Sequence, residues 1–250
     1  MSVQKFCKSA FSDVESQFFV PVNDFFAVLT IISILGIVLE TVNKFSKYED
    51  VFILIEFITV FFFSLEYIGR IIAAEKPWKY MVSFFGLIDL ISIVPTFLGI
   101  ANLTFLKSAR LLRMMRFLRM IRLTKLLRMQ KQHVDIENHG HDSLFRLTMQ
   151  IYILALVSVI LISATLMWFF EAESHEAFVN IPIAMVWSSK VLLGGVPQVM
   201  PNTITGEIIT IITRFMGLVL FGLLISIVGG TTKRLLIGSD EVLNGKTTEK

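Results

Sequence analysis

The sequence predicts an all-α membrane protein of six transmembrane helices: a four-helix unit, then a two-helix unit with a re-entrant helix between its spans. Three observations lead there. Of 250 residues, 54% are apolar and only 17% charged, whereas soluble domains carry about 45–50% and about 25%; 23 Phe and 11 Met add to the excess. Five apolar runs have the roughly 17–25 residues needed to cross a hydrocarbon core. The net charge of +3 is small, but the cations concentrate in one segment and in alternate loops. Cys7 is the single cysteine, so an intrachain disulfide is impossible.

Residues 1–21 lack the continuous apolar core and cleavage site of a signal peptide and are expected to form a short amphipathic helix on the membrane surface. The spans follow as Val22–Val42, Val51–Ala74 with Glu56 and Glu66 inside it, and Met81–Ile100 with Asp89 inside it. Leu103–Met129 is apolar apart from its cations, and together these form a unit over 22–129. The polar stretch 130–143 is the composition break and is read as a linker. The second unit, 144–237, holds Leu144–Phe170 and Thr205–Leu236, with the shorter run Phe178–Leu193 between them, too short to span and suited to a re-entrant helix. Residues 238–250 read as a tail.

Loop charges set the orientation. Lys5 and Lys8, Lys76 and Lys79, Lys131, and Lys233 with Arg234 mark the cytoplasmic side, whereas the connection with Glu171, Glu173 and Glu176 has no cation before Lys190. Both termini are therefore expected to be cytoplasmic in a multi-pass protein, and the short flanks suggest a prokaryotic inner membrane.

The fourth span carries Lys107, Arg110, Arg113, Arg116, Arg119, Arg122, Lys125 and Arg128, a cation at every third residue. Along an α-helix such neighbours are about 4.5 Å apart, and in a 3₁₀ stretch they share one face. Each central Arg costs at least about 2.5–3.5 kcal/mol in lipid, so the stripe must meet water or counter-charges. Glu56, Glu66 and Asp89, themselves costly inside apolar helices, supply them. A basic helix lying on an anionic surface or nucleic acid leaves those three acids unexplained. One charge crossing the membrane field is worth about 2.3 kcal/mol per 100 mV, so a moving stripe senses voltage.

At this point the chain resembles the voltage-gated potassium channel family from about Val22 to Leu236. The second span places Glu56, Phe63, Glu66 and Arg70 where that family has an outer acid, an aromatic, an inner acid and a base, and I-D-L-I-S-I-V-P places Asp89 at its third-span acid. The resemblance implies that Phe63, Glu66 and Asp89 form a charge-transfer centre, with Glu56 as outer counter-charge. Without the flanking acids Phe63 reads as a core aromatic, and Arg70 reads equally as an anchor at the end of its helix. In the second unit, Ile181–Val191 resembles a pore helix, and Pro201, Thr203 and Gly206 match the segment after the filter. Gly217 matches the inner-helix hinge, although close helix packing also explains a glycine there. Gly222, Gly229 and Gly230 read as packing or end signals. One filter loop per subunit implies a homotetramer.

The filter departs from that family. Where it has T-V-G-Y-G-D, this chain has Leu193, Gly194, Gly195, Val196, Pro197 and Gln198. Leu193 removes a hydroxyl ligand, and Pro197 fixes φ and lacks an N–H, so a stack of carbonyl sites is not expected. Two cations, Lys190 and Arg214, fall near this region. Each either pairs with an acid such as Glu171, Glu173 or Glu207 or snorkels, or else they form a basic ring that lowers cation selectivity or admits anions.

The leading expectation is a voltage-gated, potassium-channel-like subunit whose ions pass when the Arg-rich helix moves. The alternatives are a non-selective or anion-permeable channel, and a voltage sensor with a non-conducting pore. A transporter predicts internal repeats and broken helices, which are not seen. An enzyme predicts a nucleophile–base constellation, phosphate loop or metal spacing, also not seen; His133, His139 and His141 read as solvated linker residues. Expected partners are the lipid bilayer, monovalent permeant ions and further copies of the chain. No nucleic acid, cofactor or metal is expected.

Overall fold

The computed structural model of the protein describes residues 3–11, 13, 16–100, 118–120, 122–123, 141–196 and 199–237. Among them the secondary structure is entirely helical: α1 (Val3–Phe11), α2 (Phe19–Glu40), α3 (Glu49–Ala73), α4 (Pro77–Met81), α5 (Phe84–Ile100), α6 (His141–Glu171), α7 (Ile181–Leu192) and α8 (Ile204–Ile237), with 3₁₀ turns at Asn43–Tyr48 and Glu176–Phe178. Four segments are long and apolar enough to cross a membrane: Phe19–Glu40, Asn43–Ala73, Thr148–Glu171 and Ile204–Gly230. Of the predicted charged span, only 118–120 and 122–123 are described, and 118–120 are helical. Lys107, Arg110, Arg113, Arg116, Lys125 and Arg128 lie outside the described residues, as do Pro197, Gln198, residues 130–140 of the expected linker and residues 238–250.

The packing is inverted relative to a water-soluble bundle. α2 turns Val28, Ile31, Ile32 and Leu35 outward and buries Asn23, Thr30 and Ser33. Apolar groups gain nothing by avoiding lipid, whereas polar groups there need internal partners. Accordingly Thr30 donates to the Phe26 carbonyl and Asn23 to the Phe19 carbonyl, both at 2.7 Å.

Boundaries move where capping chemistry outweighs hydropathy. The predicted span Met81–Ile100 begins three residues later, at Phe84. α4 ends at Met81, and the Ser83 side chain accepts from the Gly86 N–H at 3.1 Å, which caps a fresh helix at Phe84. Gly86 packs against the Tyr80 carbonyl, where a Cβ has no room. α6 starts at His141, inside the stretch expected as linker. α1 is docked against α2 and α3, with Ala10 and Cys7 buried.

The largest apolar cluster joins the two units. Ile34, Ile37 and Val38 of α2 pack with Met120 and Leu123 and with Trp168, Phe178, Ile181 and Trp187 of the second unit. Thr41, just past α2, accepts the N–H of Ile181 at 3.1 Å and donates to the Val38 carbonyl at 2.7 Å. A second cluster, Phe26, Leu29, Val60, Phe63 and Ile93, fills the middle of the first unit.

Candidate functional site

Arg122 is fully enclosed. Its Nη1 and Nη2 donate to the two carboxylate oxygens of Glu56 at 2.9 and 2.7 Å, the bidentate geometry that suits a guanidinium. Nη1 also donates to the Ser33 hydroxyl of α2. Nε and Nη2 donate to the Ser92 carbonyl of α5 at 3.0 and 2.8 Å. Pro95, inside α5, lacks the N–H that would bond the Ile91 carbonyl, so the ladder is interrupted one residue from the Ser92 carbonyl that receives Arg122. The Thr96 hydroxyl completes the set by donating to Glu56.

The guanidinium carbon of Arg122 lies 5.3 Å from the centre of the Phe63 ring, which is itself fully buried. One turn earlier, Arg119 has its Nε 3.5 Å from Glu56 Oε1 and keeps 18% of its side chain exposed. A crevice of about 250 Å³, lined by Glu40, Phe52, Glu56, Phe57, Thr96 and Arg119, reaches this pair. The step from partial exposure to full enclosure therefore falls between Arg119 and Arg122, three residues apart in sequence. On the other side of Phe63, Glu66 binds Arg70 at 2.8 Å within α3, and Asp89 accepts from the Tyr80 hydroxyl at 2.5 Å. Glu66, Asp89 and Arg70 are all buried.

In the second unit, α7 starts with Asn180 accepting from the Ile183 N–H at 3.0 Å and with a proline in its first turn. It ends in a Schellman motif. Gly194, at φ +78°, donates to the Val191 carbonyl at 3.2 Å, and Gly195 donates to the Lys190 carbonyl at 2.8 Å. The glycines that align with the filter region thus close the end of the helix. Trp187 Nε1 donates to the Val199 carbonyl at 3.0 Å, bridging from α7 to the far side of the loop. Glu171, fully buried at the end of α6, accepts from the backbone N–H groups of Asn202 and Thr203 at 3.0 and 2.9 Å and from the Thr203 hydroxyl. Thr203 in turn caps α8 through the Gly206 N–H at 3.0 Å. Gly217 is buried with its Cα face against the Leu192 carbonyl, where a Cβ has no room, and α8 continues unbroken through it.

Residues 21–237 match the family described as ion transport protein. The chain belongs to that family. It is a family of membrane channels within the voltage-gated ion channel superfamily, and the match together with four segments long and apolar enough to cross a bilayer makes this a membrane protein. It is 28% identical over 240 residues to a protein of Rhodopseudomonas palustris named "Putative potassium channel protein", covering 89% of this chain and 56% of that one. The chain therefore spans little more than half the length of the curated relative it matches.

Within this ion transport protein, the predicted site residues separate into two groups. Glu56, Phe63, Arg119 and Arg122 come together, and Glu66 and Asp89 lie beyond the ring with Arg70 and Tyr80. Lys190 and Arg214 are exposed, and no acid lies within ion-pair reach of either among the described residues. Glu171 is engaged with Asn202 and Thr203 instead. The residues that sequence reasoning missed are Ser33, the Ser92 carbonyl and Thr96 around Arg122, and Glu171 as the clamp on the α8 cap. An S-x-x-G pattern at Ser83 and a T-x-x-G pattern at Thr203 were the available signals for the two caps.

Proposed function

We propose that the protein is a voltage-gated channel subunit with six spans, four copies of which enclose one pore in the cell membrane. The observation that carries this reading is Arg122, a cation with no exposed surface held by Glu56 beside the Phe63 ring. A fixed structural ion pair inside an apolar bundle is often no better than an apolar substitute. A cation that is one of a periodic series, adjacent to a crevice holding the previous member, is suited to stepwise transfer across the ring. Four subunits each moving three charges make roughly 28 kcal/mol per 100 mV available, ample to bias a gate of a few kcal/mol. The remaining spans are α5 with its flank and Leu103–Met129. The exposed Leu193, Ile208, Ile211, Phe215 and Leu218 of the second unit supply apolar surface for neighbouring copies.

The test is charge movement in reconstituted membranes. Arg122→Gln should lessen the steepness of the charge–voltage relation. An unchanged slope, with the protein present at wild-type level, would reject the sensor role.

The relative's name favours potassium as permeant ion. The Schellman closure of α7 favours a second reading, weak selectivity. Gly194 and Gly195 spend their amides and their turn on ending the helix, whereas a potassium filter needs an extended row of carbonyls to replace the hydration shell. Exposed Lys190 on the same last turn adds positive charge. Lys190→Gln should shift the reversal potential in mixed potassium, sodium and chloride gradients; an identical potential would leave the potassium reading standing.

A further inference from the structure

On the far side of Phe63 from Arg122 lies an assembly that charge transfer does not itself require. Arg70 is 3% exposed, and a guanidinium so enclosed needs support on every side. Its Nε and Nη2 meet Glu66 at 2.9 and 2.8 Å. Nη2 also donates to Asn23 Oδ1 of α2 at 3.4 Å. Its plane rests 5.1 Å from the centre of the Phe11 ring, the last residue of α1, within the range of a cation–π contact. Nη1 is buried with no hydrogen-bond partner, so the ring face and Asn23 do what a full set of acceptors would otherwise do. The seat is built for that ring. At Gly69, beside Arg70, a Cβ would lie 2.5 Å from Phe11 Cε2. Asn23 ties the end of α1 down by donating to the Ala10 carbonyl at 3.5 Å. Phe11 also meets Phe26 at 6.1 Å, and Phe26 belongs to the cluster that contains Phe63.

We propose that α1 is a working part of the sensor, in which Phe11 and Asn23 are positioning residues that hold Arg70 as a resident cation on Glu66 and so set the voltage at which the stripe moves. The proposal rests on the voltage-sensor reading. A cation fixed on Glu66 offsets part of the negative field that draws stripe cations toward that end of the bundle. Loosening it makes that end more negative and favours the states in which more stripe cations lie there. Removing the Arg70 charge acts in the same direction and further.

The experiment is the charge–voltage relation of the full-length protein in reconstituted membranes, with thermal melting of the same samples. Arg70→Gln should move the midpoint, and Phe11→Leu, which keeps apolar bulk but loses the ring face, should move it the same way by less. Phe11→Tyr should restore the wild-type midpoint, and Phe11→Leu on the Arg70→Gln background should add no further shift. Should Phe11→Leu fail to reach the membrane, Asn23→Ala carries the same comparison. Additive shifts, or a lowered melting temperature with an unmoved midpoint, would overturn the positioning role and leave the sensor reading intact. Absence of charge movement in the wild-type protein would overturn both.

Discussion

At the scale of single residues, the decisive contrast is between Arg119 and Arg122. The same side chain, three positions on, passes from a crevice to complete enclosure, and Glu56 serves both. Removing one partner of a buried pair costs about 3–5 kcal/mol, because the other charge stays uncompensated. Glu56→Gln should therefore lower the melting temperature of the detergent-solubilised protein clearly, and a melting curve superimposable on wild type would mean that Ser33 and the Ser92 carbonyl suffice to hold Arg122. The acids were legible in the sequence because a carboxylate in an apolar span is an anomaly that demands a partner. Ser33, Thr96 and the Ser92 carbonyl were not, because hydroxyls usually satisfy themselves on their own helix, as Thr30 and Thr59 do here, and a carbonyl is present at every residue. Glu171 was legible as an acid in a loop region but not as a clamp, since its acceptors' partners lie about thirty residues away.

At the scale of elements, helix ends decide where hydropathy runs are cut. Ser83 sets the start of α5 at Phe84, inside the apolar run, and the Gly194–Gly195 pair ends α7 where the resembling family has its filter. Gly194 lies in the left-handed region, so Gly194→Ala should destabilise the second unit by about 1–2 kcal/mol, read as a fall in melting temperature. Glu171→Gln keeps the shape but loses the charge that strengthens its backbone hydrogen bonds, each worth roughly 1.5–3 kcal/mol when charged against about 1 when neutral. That substitution should destabilise the α8 cap and loosen the loop after residue 198, measurable as faster amide exchange at Asn202 and Thr203. The same logic distinguishes the two readings of Gly217. The glycine is filled on its open side by the Leu192 carbonyl, so Gly217→Ala should impair packing of α7 on α8 even under conditions where no gating occurs; unaltered stability of that variant would favour the hinge.

At the scale of the whole molecule, the all-helical membrane architecture followed from composition, because a bilayer admits few solutions for a backbone that must satisfy itself; four of the expected spans are long apolar helices among the described residues. The docking of α1 did not follow, since a short amphipathic helix suits a membrane surface as well as a groove between two helices. Nor did the joining of the two units through Thr41. The N–H groups of a helix's first turn have no partner inside the helix, and here Ile181, first residue of α7, finds one on the other unit. Thr41→Val keeps the volume and removes the acceptor, which should cost about 1–3 kcal/mol for the stranded donor and lower the melting temperature of the protein.

The bond between Thr41 and Ile181 bears on how such chains can be recombined. A second unit in which the short helix α7 is completed by a hydroxyl from the first unit is not a free-standing part. A chimaera that grafts residues 141–237 onto a foreign first unit inherits an unpartnered N–H donor at Ile181 and a bare patch where Ile34, Ile37 and Val38 had lain. The foreign unit must bring its own hydroxyl and its own aliphatic ridge to that spot. Exchange of this protein's first unit is therefore limited by a join at the far end of its first long helix, as well as by the linker that sequence alone would single out.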